Sequence, residues 1–276
     1  MEQHKPIGIF DSGIGGLSVL RDIRARLPWE NLIYVADSGH APYGHQPAAF
    51  IEQRALAMAE FLLKRQVKAL VVACNTATAA AIARLRQHLP IPVIGMEPGI
   101  KPAVAASKSR VIGVLATVGT LNSERFSALV ARSTVGVEVI VQPCPGLVER
   151  IEAGEFNTPA TRRLVETYVG PLLSRGVDTL VLGCTHYPWV QPLIADMAGP
   201  TVGIIDTGPA VACQLQRRLE QVGLMNNDDT APGTEEFWTS GSVEHLLRLI
   251  PRLWGRPNAA QCSDGDSAEG LLRRCG

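Results

Sequence analysis

The sequence predicts an α/β fold of two similar domains with mainly parallel sheets, related by a pseudo-twofold axis and enclosing a cleft. Two observations carry this. Short apolar runs alternate with segments of helical period, the pattern of parallel strands covered by helices. That pattern then repeats. The phrase Gln66-Val67-Lys68-Ala69-Leu70-Val71-Val72-Ala73-Cys74-Asn75-Thr76 is answered, at an offset of 110, by Gly176-Val177-Asp178-Thr179-Leu180-Val181-Leu182-Gly183-Cys184-Thr185-His186. Residues 7–12 are answered by 112–117 at an offset of 105, and 93–99 by 202–208 at 109. Three strand ends recurring in one order mark two equivalent halves.

The first strand is expected at 7–10, straight after a polar hexapeptide. The turn Asp11-Ser12-Gly13-Ile14-Gly15-Gly16 opens a helix at 17–27, where Leu17, Leu20, Ile23 and Leu27 keep helical spacing and Pro28 ends it. A strand at 32–35 leads into a Pro- and Gly-containing loop, Asp37 to Gly44, and then a helix at 49–65. The run at 70–73 is apolar throughout, as a strand buried on both faces is. A helix at 77–88 and a short strand at 93–95 complete the half. The second half reads as strands at 111–115, 137–141, 179–182 and 202–205 with a helix at 161–174. Crossings near Pro98-Gly99 and Thr207-Gly208-Pro209 assign 1–98 plus 209–276 to the first domain and 99–208 to the second. The helix-like 210–222, together with 237–254, returns to the first domain. Residues 256–276 are polar and rich in Ser, Asp and Gly, so a mobile tail with at most a weak closing helix is expected.

At 276 residues the chain has room for two cores, and its 46% hydrophobic content is that of an ordinary globular protein. Lys+Arg and Asp+Glu balance at 26 each, which gives no support to direct nucleic-acid binding. The apolar runs are too short to span a bilayer. Six cysteines form no CxxC pair and no disulfide scaffold, so they read as thiols in a reducing, cytoplasmic setting.

Cys74 and Cys184 stand out. One strand-end cysteine is as readily a small apolar filler as a reactive group. Two at matched positions, each followed by polar residues, suggest thiols facing each other across one site. One thiolate and one thiol across a substrate carbon can remove a proton from one face and return another to the opposite face. The 11–16 turn is not a dinucleotide fingerprint, because Ser18 stands where the third glycine belongs. It offers a helix N-terminus for a carboxylate, and Asp11 as an acceptor for an ammonium group or as a cap. Asp37, Tyr43 and Gly44 lie on a loop at the carboxyl edge. His186 follows Cys184 by two residues; no other Cys/His spacing supports a metal site, so none is expected and a role tuning Cys184 or meeting a substrate carboxylate is favoured. Glu152 reads as solvated helix surface. Cys144 and Cys213 read as packing, Cys262 and Cys275 as tail. None of the five lysines sits at a strand end with a phosphate cup, so no pyridoxal cofactor, and no cofactor of any kind, is expected.

Together these residues resemble the glutamate racemase family, the glutamate branch of the cofactor-independent aspartate/glutamate racemases. The matching phrases are Phe10-Asp11-Ser12-Gly13-Ile14-Gly15-Gly16-Leu17, Ala41-Pro42-Tyr43-Gly44, Ala73-Cys74-Asn75-Thr76-Ala77-Thr78, Ala116-Thr117-Val118-Gly119-Thr120 and Gly183-Cys184-Thr185-His186-Tyr187-Pro188. The resemblance implies interconversion of L- and D-glutamate, which supplies D-glutamate for peptidoglycan. It implies Cys74 acting on the D-isomer and Cys184 on the L-isomer, with Asp11, Asp37, Glu152 and His186 assisting. It also implies Asp11, Ser12, Pro42, Tyr43, Gly44, Asn75, Thr76, Thr185 and His186 around the substrate, with Thr117 and Thr120 closing on a carboxylate. One departure is that Ser38-Gly39-His40 replaces the Thr-Ala-Arg common after the family's aspartate. The expected partner is glutamate, with a homodimer or a monomer–dimer equilibrium. A gyrase interaction known for some members extends to this chain by resemblance only. Aspartate racemase, or a non-catalytic binding protein on the same scaffold, is the alternative.

Overall fold

The computed structural model describes residues 2–255 and 272–275. Its strands are β1 (Ile7–Asp11), β2 (Leu32–Ala36), β3 (Ala69–Val72), β4 (Val93–Gly95), β5 (Val111–Ala116), β6 (Glu138–Pro143), β7 (Thr179–Gly183), β8 (Gly203–Ile205), β9 (Glu235–Thr239) and β10 (Arg273–Cys275). They form two sheets, one in the order β10-β9-β2-β1-β3-β4 and one in the order β6-β5-β7-β8. All pairings are parallel except β9 with β10. Every residue of β1, β2, β3 and β7 is buried, because helices cover both faces of these central strands.

The register reproduces the internal repeat. Ile7 lies opposite Ala69 in the first sheet, and Ile112 opposite Thr179 in the second, as the offsets of 105 and 110 require. The fourth strands depart from it. Leu70 pairs with Val93 but Leu180 pairs with Ile204, two residues beyond the position that the repeated phrases align. A slip of two keeps each side chain on its own face, so the core tolerates it.

Helix Leu17–Arg26 packs on helix Gly208–Gln221, which follows β8 back to the larger sheet. One buried apolar cluster runs from Ile7 and Ile9 through Leu115 and Leu182 to Leu215 and Leu249. The two lobes therefore share a core at their junction. Among the described residues, no helix is long and apolar enough to cross a membrane.

Two segments differ from expectation. The stretch 237–254 is not one element: β9 pairs with β2, and helix Val243–Trp254 follows after Ser242 caps it through the His245 amide. The expected tail lies mostly outside the described residues, but its end is tied down. Leu272 is buried, and Arg273–Cys275 adds an antiparallel edge strand with Cys275 opposite Phe237. An open strand edge is a strong enough template to order a short segment of weak propensity.

Candidate active site

The carboxyl ends of β1, β3, β5 and β7 carry Asp11, Cys74, Thr117 and Cys184. Cys74 is extended at the start of helix Asn75–His88 and is its N-cap, its sulfur accepting the Ala77 amide at 3.4 Å. The same sulfur donates to Ser12 Oγ at 3.7 Å. Cys184 has a different neighbour. It precedes a 3-10 turn, Tyr187–Val190, and its sulfur lies 3.6 Å from His186 Nδ1. The two halves thus present their thiols against unlike partners, an amide on one side and an imidazole on the other. Cys74 is 5% exposed and Cys184 7%, so both are screened from bulk solvent.

A polar chain runs from Cys74 to Thr185, the residue that follows Cys184. Ser12 Oγ donates to Asp11 Oδ1 at 3.4 Å, and Thr185 Oγ1 donates to Asp11 Oδ2 at 3.4 Å. Asp11 Oδ2 also accepts the Gly16 amide at 2.5 Å, so the carboxylate closes its own turn. On the far side His186 Nε2 donates to Glu152 Oε1 at 2.6 Å, and the same oxygen accepts the Ile14 amide at 2.8 Å. Glycine is required along this turn because of what approaches it. A Cβ on Gly13 would lie 1.9 Å from Glu152 Oε1, one on Gly15 2.4 Å from His186 Nδ1, and one on Gly16 2.6 Å from Asp11 Cβ. Ser18, at the place of a third dinucleotide-motif glycine, donates across the lobes to the Thr185 carbonyl at 3.0 Å.

Burial pushes the Cys74 thiol well above the usual range, with the Asp11 and Cys184 charges adding to it; the Ala77 amide and Ser12 pull the other way. Burial also raises Asp11, against the pull of His186. For His186, burial works against the charged ring, but the bonds and charges of Cys184 and Glu152 outweigh it and lift the imidazole well above its ordinary value. These shifts favour the neutral form of Cys74 and the charged form of His186.

The expected residues of the substrate shell fall into two groups. Thr76 bonds across the lobes to Thr117 at 2.9 Å and Thr120 at 3.2 Å, and Thr117 donates to Thr120 at 3.0 Å. Beside this closed threonine contact, Pro42, Gly44, Thr117 and Cys144 line a crevice of about 10 Å³, room for no more than a single water. A groove of about 500 Å³ outside this closure is lined by Gln46, Ile51, Thr76 and Gly119. Asn75 is 3% exposed, and neither polar atom of its amide has a hydrogen-bond partner among the described residues. Asp37 belongs to a different neighbourhood. Its carboxylate accepts from Tyr43, Arg54, Ser240 and His40 rather than from either cysteine.

Residues 8–215 match the family model for Asp/Glu/Hydantoin racemases. The chain belongs to this racemase family. A glutamate racemase of Methylococcus capsulatus is 61% identical over 95% of this chain and 98% of its own length. A glutamate racemase isoform from Bacillus anthracis superposes with a TM-score of 0.85 at 36% identity, covering 95% of this chain and 98% of that one. A Francisella tularensis glutamate racemase, solved in complex with D-glutamate, gives 0.80 at 29% identity, covering 92% and 95%. Membership of the racemase family makes the chain an isomerase and accounts for both sheets and their order.

Several residues packed around these side chains escaped sequence reasoning. Tyr34, fully buried on β2, supports the turn by donating to the Gly13 carbonyl at 2.7 Å. Arg54 and Ser240 hold Asp37. No local signal marks any of the three, since an arginine on a helix and a tyrosine in a strand are ordinary.

Proposed function

We propose that the chain interconverts L- and D-glutamate without an added cofactor, with Cys74 and Cys184 working on opposite faces of the α-carbon. The carrying observation is the pair of buried thiols at matched strand ends, one from each sheet, with a polar chain of Ser12, Asp11 and Thr185 leading from Cys74 to the residue beside Cys184. Cys184 as thiolate takes the α-proton of the L-isomer, leaving the electron pair on carbon. The Cys74 thiol then delivers its proton to the other face, which gives the D-isomer. The reverse reaction begins at Cys74. His186, charged between Cys184 and Glu152, stabilises the Cys184 thiolate and is placed to return a proton to it.

An α-proton is very weakly acidic, so the site must stabilise negative charge as it develops. The unpartnered Asn75 amide and the hydroxyls of Ser12, Thr76, Thr117, Thr120 and Thr185 supply donors in a space closed to water. A buried amide left unsatisfied costs roughly 1–3 kcal/mol, which a substrate carboxylate would recover. Asp11 suits an ammonium group. We assign the groove beside Thr76 as the approach path, and the three-threonine contact as the latch that parts to admit substrate. On this reading the enzyme works in the cytoplasm and supplies D-glutamate for peptidoglycan. Incubating D-glutamate and D-aspartate side by side in deuterated water tests the assignment. α-Deuterated L-glutamate forming much faster than L-aspartate supports it; preference for aspartate, or no exchange in either, overturns it.

A further inference from the structure

Asp37 sits in a network that neither thiol enters. Its Oδ1 accepts Arg54 Nη2 at 2.8 Å, Ser240 Oγ at 2.6 Å and His40 Nδ1 at 3.0 Å; its Oδ2 accepts Arg54 Nε at 2.9 Å and the Tyr43 hydroxyl. Both oxygens are occupied, and the guanidinium bonds are the planar, bidentate kind that fixes a carboxylate in place. Such a carboxylate has little capacity left to exchange protons with a neighbour. Among the described residues its tie to β1 is through backbone, the Asp37 amide donating to the Asp11 carbonyl at 2.9 Å.

The network reaches the site through Tyr43. That side chain is fully buried, shares an apolar cluster with Phe10, Cys74 and Ala77, and precedes Gly44, whose missing Cβ lets Thr117 approach. Ser240 arrives from the end of β9, 203 residues along the chain from Asp37. Its approach depends on the departure from the family pattern. A Cβ on Gly39 would lie 2.7 Å from the Ser240 carbonyl oxygen, and the Gly39 amide donates to Ser240 Oγ at 3.0 Å.

We propose that Arg54 and Ser240 are positioning residues for the racemisation, clamping Asp37 so that Tyr43 and Gly44 are held over the Cys74 side of the site. Asp37 is then the centre of a scaffold and not a proton relay. The C-terminal β9 segment becomes part of the catalytic machinery through a contact that Gly39 permits. This rests on the two-thiol reading given above; a wild-type enzyme that exchanges no α-proton would remove that reading, and the variants below would not be informative about it.

The test uses Arg54→Lys, Ser240→Ala and Gly39→Ala in the full chain, with substrate deuterium isotope effects measured in both directions. Loosening a clamp on the Cys74 side makes proton transfer at Cys74 more limiting. The isotope effect with α-deuterated D-glutamate should then rise while that with α-deuterated L-glutamate falls. Misplacement of this kind lowers kcat/KM by roughly tenfold for Arg54→Lys, and by a smaller factor for Ser240→Ala. Ser240→Ala removes one hydroxyl, so it reports on the clamp even where another variant does not fold. Activity within twofold of wild type in the folded variants, or losses with isotope effects unchanged in their ratio between directions, would overturn the proposal. Loss confined to Asp37→Asn, with Arg54→Lys and Ser240→Ala unaffected, would assign Asp37 a proton-transfer role instead.

Discussion

Glu152 Oε1 accepts His186 Nε2 at 2.6 Å and the Ile14 amide at 2.8 Å, so one carboxylate oxygen ties the second lobe's histidine to the first lobe's glycine turn. That oxygen both orients the imidazole against Cys184 and helps keep it charged. Removing its charge should therefore be felt in stability and in turnover together.

Glu152→Gln is expected to cost about 3 kcal/mol near pH 6, the size of breaking one partner out of a largely buried ion pair. His186 is raised above its unfolded value, so its contribution is complete below about pH 6.5 and is lost as pH rises through the raised folded value. The wild-type advantage over Glu152→Gln should accordingly be largest at pH 6 and shrink towards pH 10. Urea unfolding of both proteins across that range checks it; a gap that widens with pH refutes the assignment.

The glycine turn makes a steric prediction. Gly13→Ala drives a methyl group towards Glu152 Oε1, and Gly15→Ala one towards His186 Nδ1. Neither neighbour can withdraw without breaking its own bonds. Each variant should lose about 1–3 kcal/mol in overpacking and at least tenfold in kcat. Gly170→Ala, with nothing within 4 Å of the new carbon, is the matched control and should match wild type in activity. Equal activity in all three would mean the turn is less tightly approached than its geometry requires.

At the second crossing Asp22 and Asp206 face Gly208. A Cβ on Gly208 would lie 2.1 Å from Asp22 Oδ2 and 3.7 Å from Asp206 Oδ2. Burial and then the Asp206 charge push Asp22 up to about 6, against the pull of Arg21. A raised carboxyl value is a stability present at low pH and lost as pH climbs through about 6. Asp22→Asn should thus stabilise the protein at pH 8 by about 1 kcal/mol, after discounting for solvent screening at this part-exposed site. The gain should vanish as pH falls towards 4. Thermal melts at the two pH values decide it.

Strands β1 to β8 were legible because each is a short apolar run bounded by turn residues, and because the repeat supports six of them, β1 with β5, β3 with β7 and β4 with β8, with a second copy. β9 was not. It opens with Glu235-Glu236 and becomes a strand because β2 offers a parallel partner, with Tyr34 opposite Phe237 and Val35 opposite Trp238. β10 follows a polar stretch and depends on β9 in the same way. Within the site, Cys74, Cys184 and the 11–16 turn announced themselves through position. Glu152 did not, since its meaning comes from His186 and Ile14, which lie 34 and 138 residues away. Arg54 and Ser240 are invisible for the same reason. Pairings made by tertiary approach leave no local periodicity to read.

The central claim is that both sulfurs take part in one proton exchange at carbon. Its most direct test follows D-glutamate in deuterated water with the wild-type enzyme and a Cys74→Ala, Cys184→Ala double variant, each shown to be folded. α-Deuterated L-glutamate is expected from the wild type and none from the double variant. Full activity in the variant would contradict it.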